Sequence, residues 1–196
     1  MRRATDLRYV ADLSQHPKVL ETRRHLHHSV SKFDHLVRSA RYAKALAPIL
    51  RADPRTSARA PVLHDIDSRL GSWSNHGEIA PNFAADVGES EAVCAAIRSH
   101  MFPMGPAPTN REGWVLAIAD KLAALSDMAD FVGGLFTGRS LVRRRRLRQE
   151  DPFFAQNAKP AVLVKSDEAH VSNLKGHIHP VAQAMQSLIP VREHRW

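Results

Sequence analysis

His64 and Asp65 stand in tandem at the end of an apolar run, in "APVLHDIDSRL". At this composition a His–Asp pair is expected by chance, so its meaning depends on what can meet it. Asp120 sits in "WVLAIADKLAAL", where nearly every neighbour is apolar. An ionised carboxylate buried there is costly unless a cation or hydrogen bonds compensate it. Lys121 is adjacent in sequence but points about 100° away around a helix, so a metal ion is an economical alternative. An exposed stripe with no role would account for Asp120 alone. His35 and His100 raise the same question, each on or beside a face of a predicted helix. A lone histidine in such a place is ordinarily a satisfied core or boundary residue. Four segments each presenting one make a different case, because helical bundles build metal sites from side chains that project inward from several helices. Imidazole and carboxylate together suit Fe, Mn, Zn, Co or Ni. Cys94 is the single cysteine, which excludes a structural thiolate zinc site.

The elements that must position these groups read as helical throughout. Ser31 with Asp34 forms a capping signal, followed by Phe33, Leu36, Val37, Ala40 and Ala47 on one face. Asp53–Pro54 is a cap and first-turn signal for a helix running towards His64, with Pro61 expected to kink it. "GSWSNHGE" reads as a loop that holds His76, and Pro81 is expected to interrupt the helix after it. A helix is predicted from about Ser90 to Met101, then broken by "FPMGPAPTN". The most apolar helix runs from Arg111 to about Phe131, with Gly133–Gly134 as its stop. The only strand candidate is "PAVLVKS" near 160–166, and a last helix is predicted near Pro180–Leu188.

The chain has 196 residues, 43% of them hydrophobic, enough for one domain with an appendage. The single cysteine suits a reducing cytoplasm. No apolar signal core follows "MRRATDLRYVADLSQ", and no run approaches a membrane span, so a soluble cytoplasmic protein is expected. The formal charge of +8 favours anionic partners. Much of it is local, in Arg139, Arg143, Arg144, Arg145, Arg146 and Arg148. That segment reads equally as a solvated face or as a phosphate- or nucleic-acid-binding patch. No aromatic residue interleaves with it, which disfavours base stacking.

The order His35…His64–Asp65…Asp120 resembles the HD-domain superfamily of metal-dependent phosphohydrolases, whose pattern is H…HD…D on an all-α bundle. "VSKFDHLVRSARYAKAL" looks like the family's first helix, and "APVLHDI" like its "LLHDI" element. "NHGEIAPNFA", "IRSHMFPMGPAP" and "REGWVLAIADKLAAL" resemble a bacterial subgroup with two further histidines, here His76 and His100. The resemblance covers about residues 25–131. It implies an HD-type helical domain over 1–138 and a basic, Arg-rich extension over 139–196. It also implies two divalent transition metals per chain. His35, His64, Asp65 and Asp120 would hold the first, His76 and His100 the second, with Asp65 bridging.

The implied reaction is hydrolysis of a phosphomonoester or phosphodiester on a small phosphorylated substrate, with Asp65 at its centre. Lys121, Arg69 and Arg38 are candidate phosphate contacts, being close in sequence to proposed ligands. Trp73 and Trp114 are candidate pocket walls, although Trp114 suits core packing better. His25, His27, His28, His177 and His179 read as surface histidines. Two rivals stay open. The ligand order also resembles the diiron oxygenases of the HD fold, such as myo-inositol oxygenase. A metal-bearing module that binds nucleic acid through Arg139–Arg148 without turnover is the other.

Overall fold

The fold, taken from a computed structural model of the chain, describes residues 9–71 and 75–157. The strand candidate near 160–166, the helix predicted near Pro180–Leu188, His177, His179 and Trp73 lie outside the described residues. Two short helices, α1 (Ala11–Ser14) and α2 (Pro17–Glu21), precede a two-stranded antiparallel ribbon. Its strands, β1 (Leu26–His27) and β2 (Val30–Ser31), pair Leu26 with Ser31 and His27 with Val30. Then come α3 (Lys32–Leu50), α4 (Pro54–Leu63), a 3-10 turn at Ser68–Leu70, α5 (His76–Asp86) and α6 (Glu91–Arg98). The series ends with α7 (Arg111–Leu135), α8 (Arg139–Glu150) and α9 (Pro152–Asn157). This is an all-α bundle, and the compact unit runs to Asn157. No helix among the described residues is long and apolar enough to cross a membrane.

The caps follow from side-chain chemistry. Ser31 accepts a hydrogen bond from the Asp34 amide and starts α3. Asp53 accepts from Thr56 N, Ser90 from Val93 N and Asn110 from Gly113 N, so each helix begins where a short polar side chain satisfies a free amide. Arg51, in the left-handed region at φ 52°, lets the chain turn from α3 into α4 within three residues.

α3 packs against both α4 and α7, and α6 packs against α4, α5 and α7. One core cluster joins Leu36, Leu63, Phe83, Val93, Ile97 and Leu116. A second is built of small residues, Ala43, Ala47, Ala52, Val115 and Ala119. Alanine at the contact lets α3 and α7 approach closely. That closeness brings His35 on α3 within reach of Asp120 on α7.

Three local expectations are corrected. Pro81 does not interrupt the chain: α5 runs from His76 to Asp86 through it, so His76 opens a helix instead of lying in a loop. Gly133–Gly134 do not stop α7, which continues to Leu135. A Cβ on Gly134 would come within 2.0 Å of Ser140 Oγ, so this glycine serves close packing against α8. The left-handed turn falls at Gly138, φ 71°. Trp114 is 41% exposed, edge-on to Phe102, and does not pack in the core.

Candidate metal centre

Each helix delivers its donor through a local feature. His64 caps the C-terminus of α4, where carbonyls lack helical partners. Its Nδ1 donates to the Pro61 carbonyl at 2.9 Å, which fixes the tautomer and leaves Nε2 with a lone pair facing inward. His100, two residues past α6, repeats the arrangement with Nδ1 on the Ile97 carbonyl at 2.6 Å. Its Nε2 lies 3.2 Å from Nε2 of His76, at the start of α5. Tandem Asp65 follows His64 into the same space, 3.6 Å from His76 and 3.8 Å from His100 through Oδ1. From α7, Asp120 Oδ1 lies 3.0 Å from His35 Nε2 and 3.4 Å from His64 Nε2.

The structure therefore brings all six expected ligands, His35, His64, Asp65, His76, His100 and Asp120, into one cluster. Two trios within it, His35–His64–Asp120 and His64–Asp65–His100, have ligand atoms all within 4.8 Å of one another. His64 Nε2 is buried and has no hydrogen-bond partner among the described residues. A buried nitrogen with an unused lone pair is costly in a purely structural cluster. It fits a position beside a cation, and the mixed imidazole and carboxylate donors fit a divalent transition metal.

The electrostatics follow the same logic. Burial would raise the Asp120 carboxyl, but the hydrogen bond from His35, with the imidazoles of His64 and His100 close by, outweighs it and holds Asp120 well below the usual carboxylate range. Burial opposes ionisation of Asp65 as well. Lys32 and the neighbouring imidazoles of His64, His27 and His100 hold it ionised all the same. Burial would depress His35, yet Asp120 and Asp127 lift it to about 9. Burial, helped by repulsion from His64, pushes His100 down to about 4, so its lone pair is free at neutral pH.

Three residues at the centre escaped the sequence reading. Asp127 is buried and accepts from His35 Nδ1 at 2.7 Å, and Arg38 holds its other oxygen at 3.0 Å. It orients His35 from behind, as carboxylates commonly do for metal-binding histidines. The i, i+7 spacing from Asp120, two turns along one apolar helix, was the available signal. His27, read as a surface histidine, comes from the ribbon and lies 3.6 Å from Asp65 Oδ2 with its ring 4.5 Å from that of His35. It forms a third trio with His35 and Asp65. Lys32 is buried at the start of α3 and donates to the Asp65 carbonyl at 2.8 Å and to Ser68 Oγ at 2.6 Å. It positions the backbone of the His–Asp pair.

The candidate phosphate contacts have different surroundings. Lys121, 37% exposed through its side chain, reaches the His100 carbonyl and Asp120 Oδ2 at the rim of the cluster. Arg38 is partly exposed behind Asp127 and also donates to Ser126 Oγ. The Arg69 fork is engaged elsewhere. It holds Asp151 through both amino groups and the Leu26 carbonyl at 2.9 Å. Asp151 is fully buried and also accepts from the Leu26 amide at 2.7 Å. One carboxylate thus fastens the ribbon, the turn after the His–Asp pair and the end of α8.

An all-α bundle that gathers inward imidazoles and carboxylates from several helices has the architecture of a helical metal-binding domain. Residues 33–125 match the HD domain family, so that segment is read as an HD domain. HD domains are generally metal-dependent phosphohydrolases. The chain is 34% identical over 94 residues to ribonuclease Y of Cutibacterium acnes, covering 46% of this chain and 17% of that protein. It is 30% identical over 105 residues to the glycine–tRNA ligase beta subunit of Streptococcus mutans, covering 48% and 16%. For the same subunit of Cereibacter sphaeroides the values are 29% over 103 residues, 49% and 15%. The chain thus matches about a sixth of the length of these relatives. No solved structure matches it significantly.

Proposed function

We propose that the chain is a two-metal phosphohydrolase acting on phosphomonoesters or phosphodiesters. The observation that supports this reading best is the buried convergence of His35, His64, Asp65, His76, His100 and Asp120, with His64 Nε2 left without a hydrogen-bond partner. In this reading His35, His64 and Asp120 hold one metal, His76 and His100 the other, and Asp65 serves both. When bound, such metals lower the pKa of water towards neutrality and neutralise charge developing on a phosphoryl oxygen. The remaining work belongs to the chain. Asp127 keeps the His35 ring oriented, and Lys32 anchors the Asp65 backbone. Lys121, at the rim, is placed to meet a substrate phosphate, and Arg38 stands second. Arg69 is engaged by Asp151, so its contribution is to hold the loop that follows the ligands.

The wider partner in this reading is anionic. Arg144 and Arg145 on α8 have no acidic partner among the described residues. Arg139, Arg143 and Arg146 line a cavity of about 520 Å³ between the end of α7 and α8. One similar protein is, by its name, a ribonuclease, so an RNA phosphodiester belongs in the substrate panel.

The test is metal analysis of the purified protein, followed by assay of the loaded protein against phosphomonoesters and phosphodiesters, RNA included. Two metal atoms per chain and hydrolysis that Asp65→Ala abolishes are expected. One atom per chain unaffected by His76→Ala overturns the second site. Turnover that requires O₂ overturns hydrolysis.

A further inference from the structure

The helix that carries Asp120 and Asp127 has another face that the described fold leaves uncovered. Along α7 run Trp114, Ile118, Lys121, Leu125, Met128, Val132 and Leu135, spaced alternately by four and three residues. Trp114, Ile118, Leu125, Met128 and Val132 are 39–67% exposed, and Phe136, at the end of the helix, is 90% exposed. Single exposed apolar residues are ordinary. A continuous row about 30 Å long, at 1.5 Å per residue, is not. With aromatic side chains of roughly 150–250 Å² and aliphatic ones somewhat smaller, these exposures amount to about 700 Å² of apolar surface. That exceeds the ~300–600 Å² of the largest patch on an ordinary monomer and approaches the ~800 Å² each partner gives to a standard interface.

We infer that this face docks a second copy of the chain, the two α7 helices packing seam against seam. The alternating four- and three-residue spacing is the repeat with which two helices interlock side chains, so it specifies a helical partner carrying the same repeat. α7 of another copy is such a helix. Leu125 lies midway between Trp114 and Phe136, so a two-fold axis near Leu125 covers the whole row without overhang. Small residues flank the row at Ala124, Ala129 and Gly133, and a Cβ at Gly133 would meet nothing within 4 Å, leaving room for close approach. Lys121 is the single polar member, and its amine turns back to the His100 carbonyl and Asp120. Asp120 and Asp127 leave the other side of the helix, towards His35. The dimer therefore forms without covering the metal ligands; Lys121 is the one residue the seam shares with the proposed site, and the mass of the chain in solution reads the dimer apart from turnover.

The experiment is light scattering or sedimentation of the full chain at micromolar concentration. Wild type is expected at the mass of two 21.9 kDa chains. Leu125→Asp, which would bury two unpaired carboxylates, is expected to raise the dimer dissociation constant at least about 100-fold. Ile49→Asp, at an exposed apolar position on α3 that is not a member of the row, is expected to leave the dimer intact. Circular dichroism checks that both variants stay helical. Leu125→Cys gives a second readout. Mild oxidation is expected to link two copies through it, while buried Cys94 stays apart. A monomeric wild type overturns the inference, leaving the row to residues 158–196 or to another protein. So does a dimer that Leu125→Asp leaves intact, or a Leu125→Cys protein that fails to cross-link.

Discussion

α4 carries two buried polar clusters five residues apart, and they are satisfied to different degrees. At Arg59 every guanidinium donor is used. Nε donates to Glu89 at 2.7 Å and 2.9 Å, Nη1 to Asp12 at 2.9 Å and to the Tyr9 carbonyl, and Nη2 to Asp12 at 2.7 Å and to Glu89. One cation and two carboxylates close on each other, and nothing is left to offer a ligand. At the His64–Asp65 end, lone pairs and carboxylate oxygens converge with His64 Nε2 unpartnered. The first cluster holds the N-terminal segment and α4 in place. The second keeps unused binding capacity, which is what a site for a cation requires. Burial and charge alone do not separate the two. The count of unsatisfied donors and acceptors does.

The contrast breaks most visibly in a crossed pair of variants. Asp65→Ala is expected to remove metal and lower turnover by at least about 10³-fold while helical content persists. Arg59→Ala is expected to cost about 3–5 kcal/mol of stability, because Glu89, 5% exposed, loses its cation. Its metal content at low temperature should stay normal. Metal analysis alongside denaturant melts reads both, and an Asp65→Ala protein with full metal and turnover would make the His–Asp pair a second structural cluster.

Asp127→Asn sharpens the comparison inside the site. It keeps shape but weakens the grip on His35 Nδ1, and about 10–100-fold weaker metal binding is expected in a chelator competition. Unchanged affinity would reassign Asp127 to packing.

A proton balance is a smaller effect but direct. In the metal-free protein His35 is raised to about 9, so at pH 7.5 it holds a proton between itself and Asp120. Metal must replace that proton. Calorimetric titration in buffers of different ionisation enthalpy is expected to show about one proton released per first metal. The same raised value stabilises the metal-free fold. This contribution is complete below the unfolded value of 6.5 and is lost as pH rises through about 9. A metal-free protein equally stable at pH 6.5 and pH 10 would contradict it.

The smallest effect belongs to the outer arm of the Arg59 cluster. Asp12 is lowered to about 2, chiefly by its hydrogen bond to Arg59, against a small opposing effect of burial. Its contribution is present above the unfolded value of 3.8 and is lost as pH falls through about 2. Its side chain is 63% exposed, so Asp12→Asn is expected to cost at most about 1 kcal/mol at neutral pH in a urea melt.

Much of the architecture is legible because it is local. The caps at Ser31, Asp53 and Ser90 are short-range chemistry, and they place three helix starts correctly. The His64–Asp65 pair and Asp120 stand out because charge interrupts apolar runs, and the structure brings them together. His27, Lys32 and Asp127 were hidden for different reasons. His27 belongs to a cluster of histidines that resembles a wet surface, and only the ribbon's pairing turns it inward. Lys32 opens a helix, where a cation ordinarily faces solvent, yet the turn at Ser68 closes over it. Asp127 follows a serine and looks like the polar side of α7 until α3 supplies a histidine across from it. Glycine was misleading in the pair 133–134, since close packing and chain reversal use the same residue. In each case the deciding partner lies far away in sequence.

Asp151 adds a dimension of time. It fastens Leu26 and Arg69, which precede it by 125 and 82 residues. A ribosome delivers those groups first. At roughly 5–20 residues per second, the segment after the His–Asp pair waits about 4–16 s for its carboxylate. Until then β1, with His27, has no latch. The His27 edge of the centre is therefore the last part of the site to close during synthesis, well after α3 and α4 have emerged.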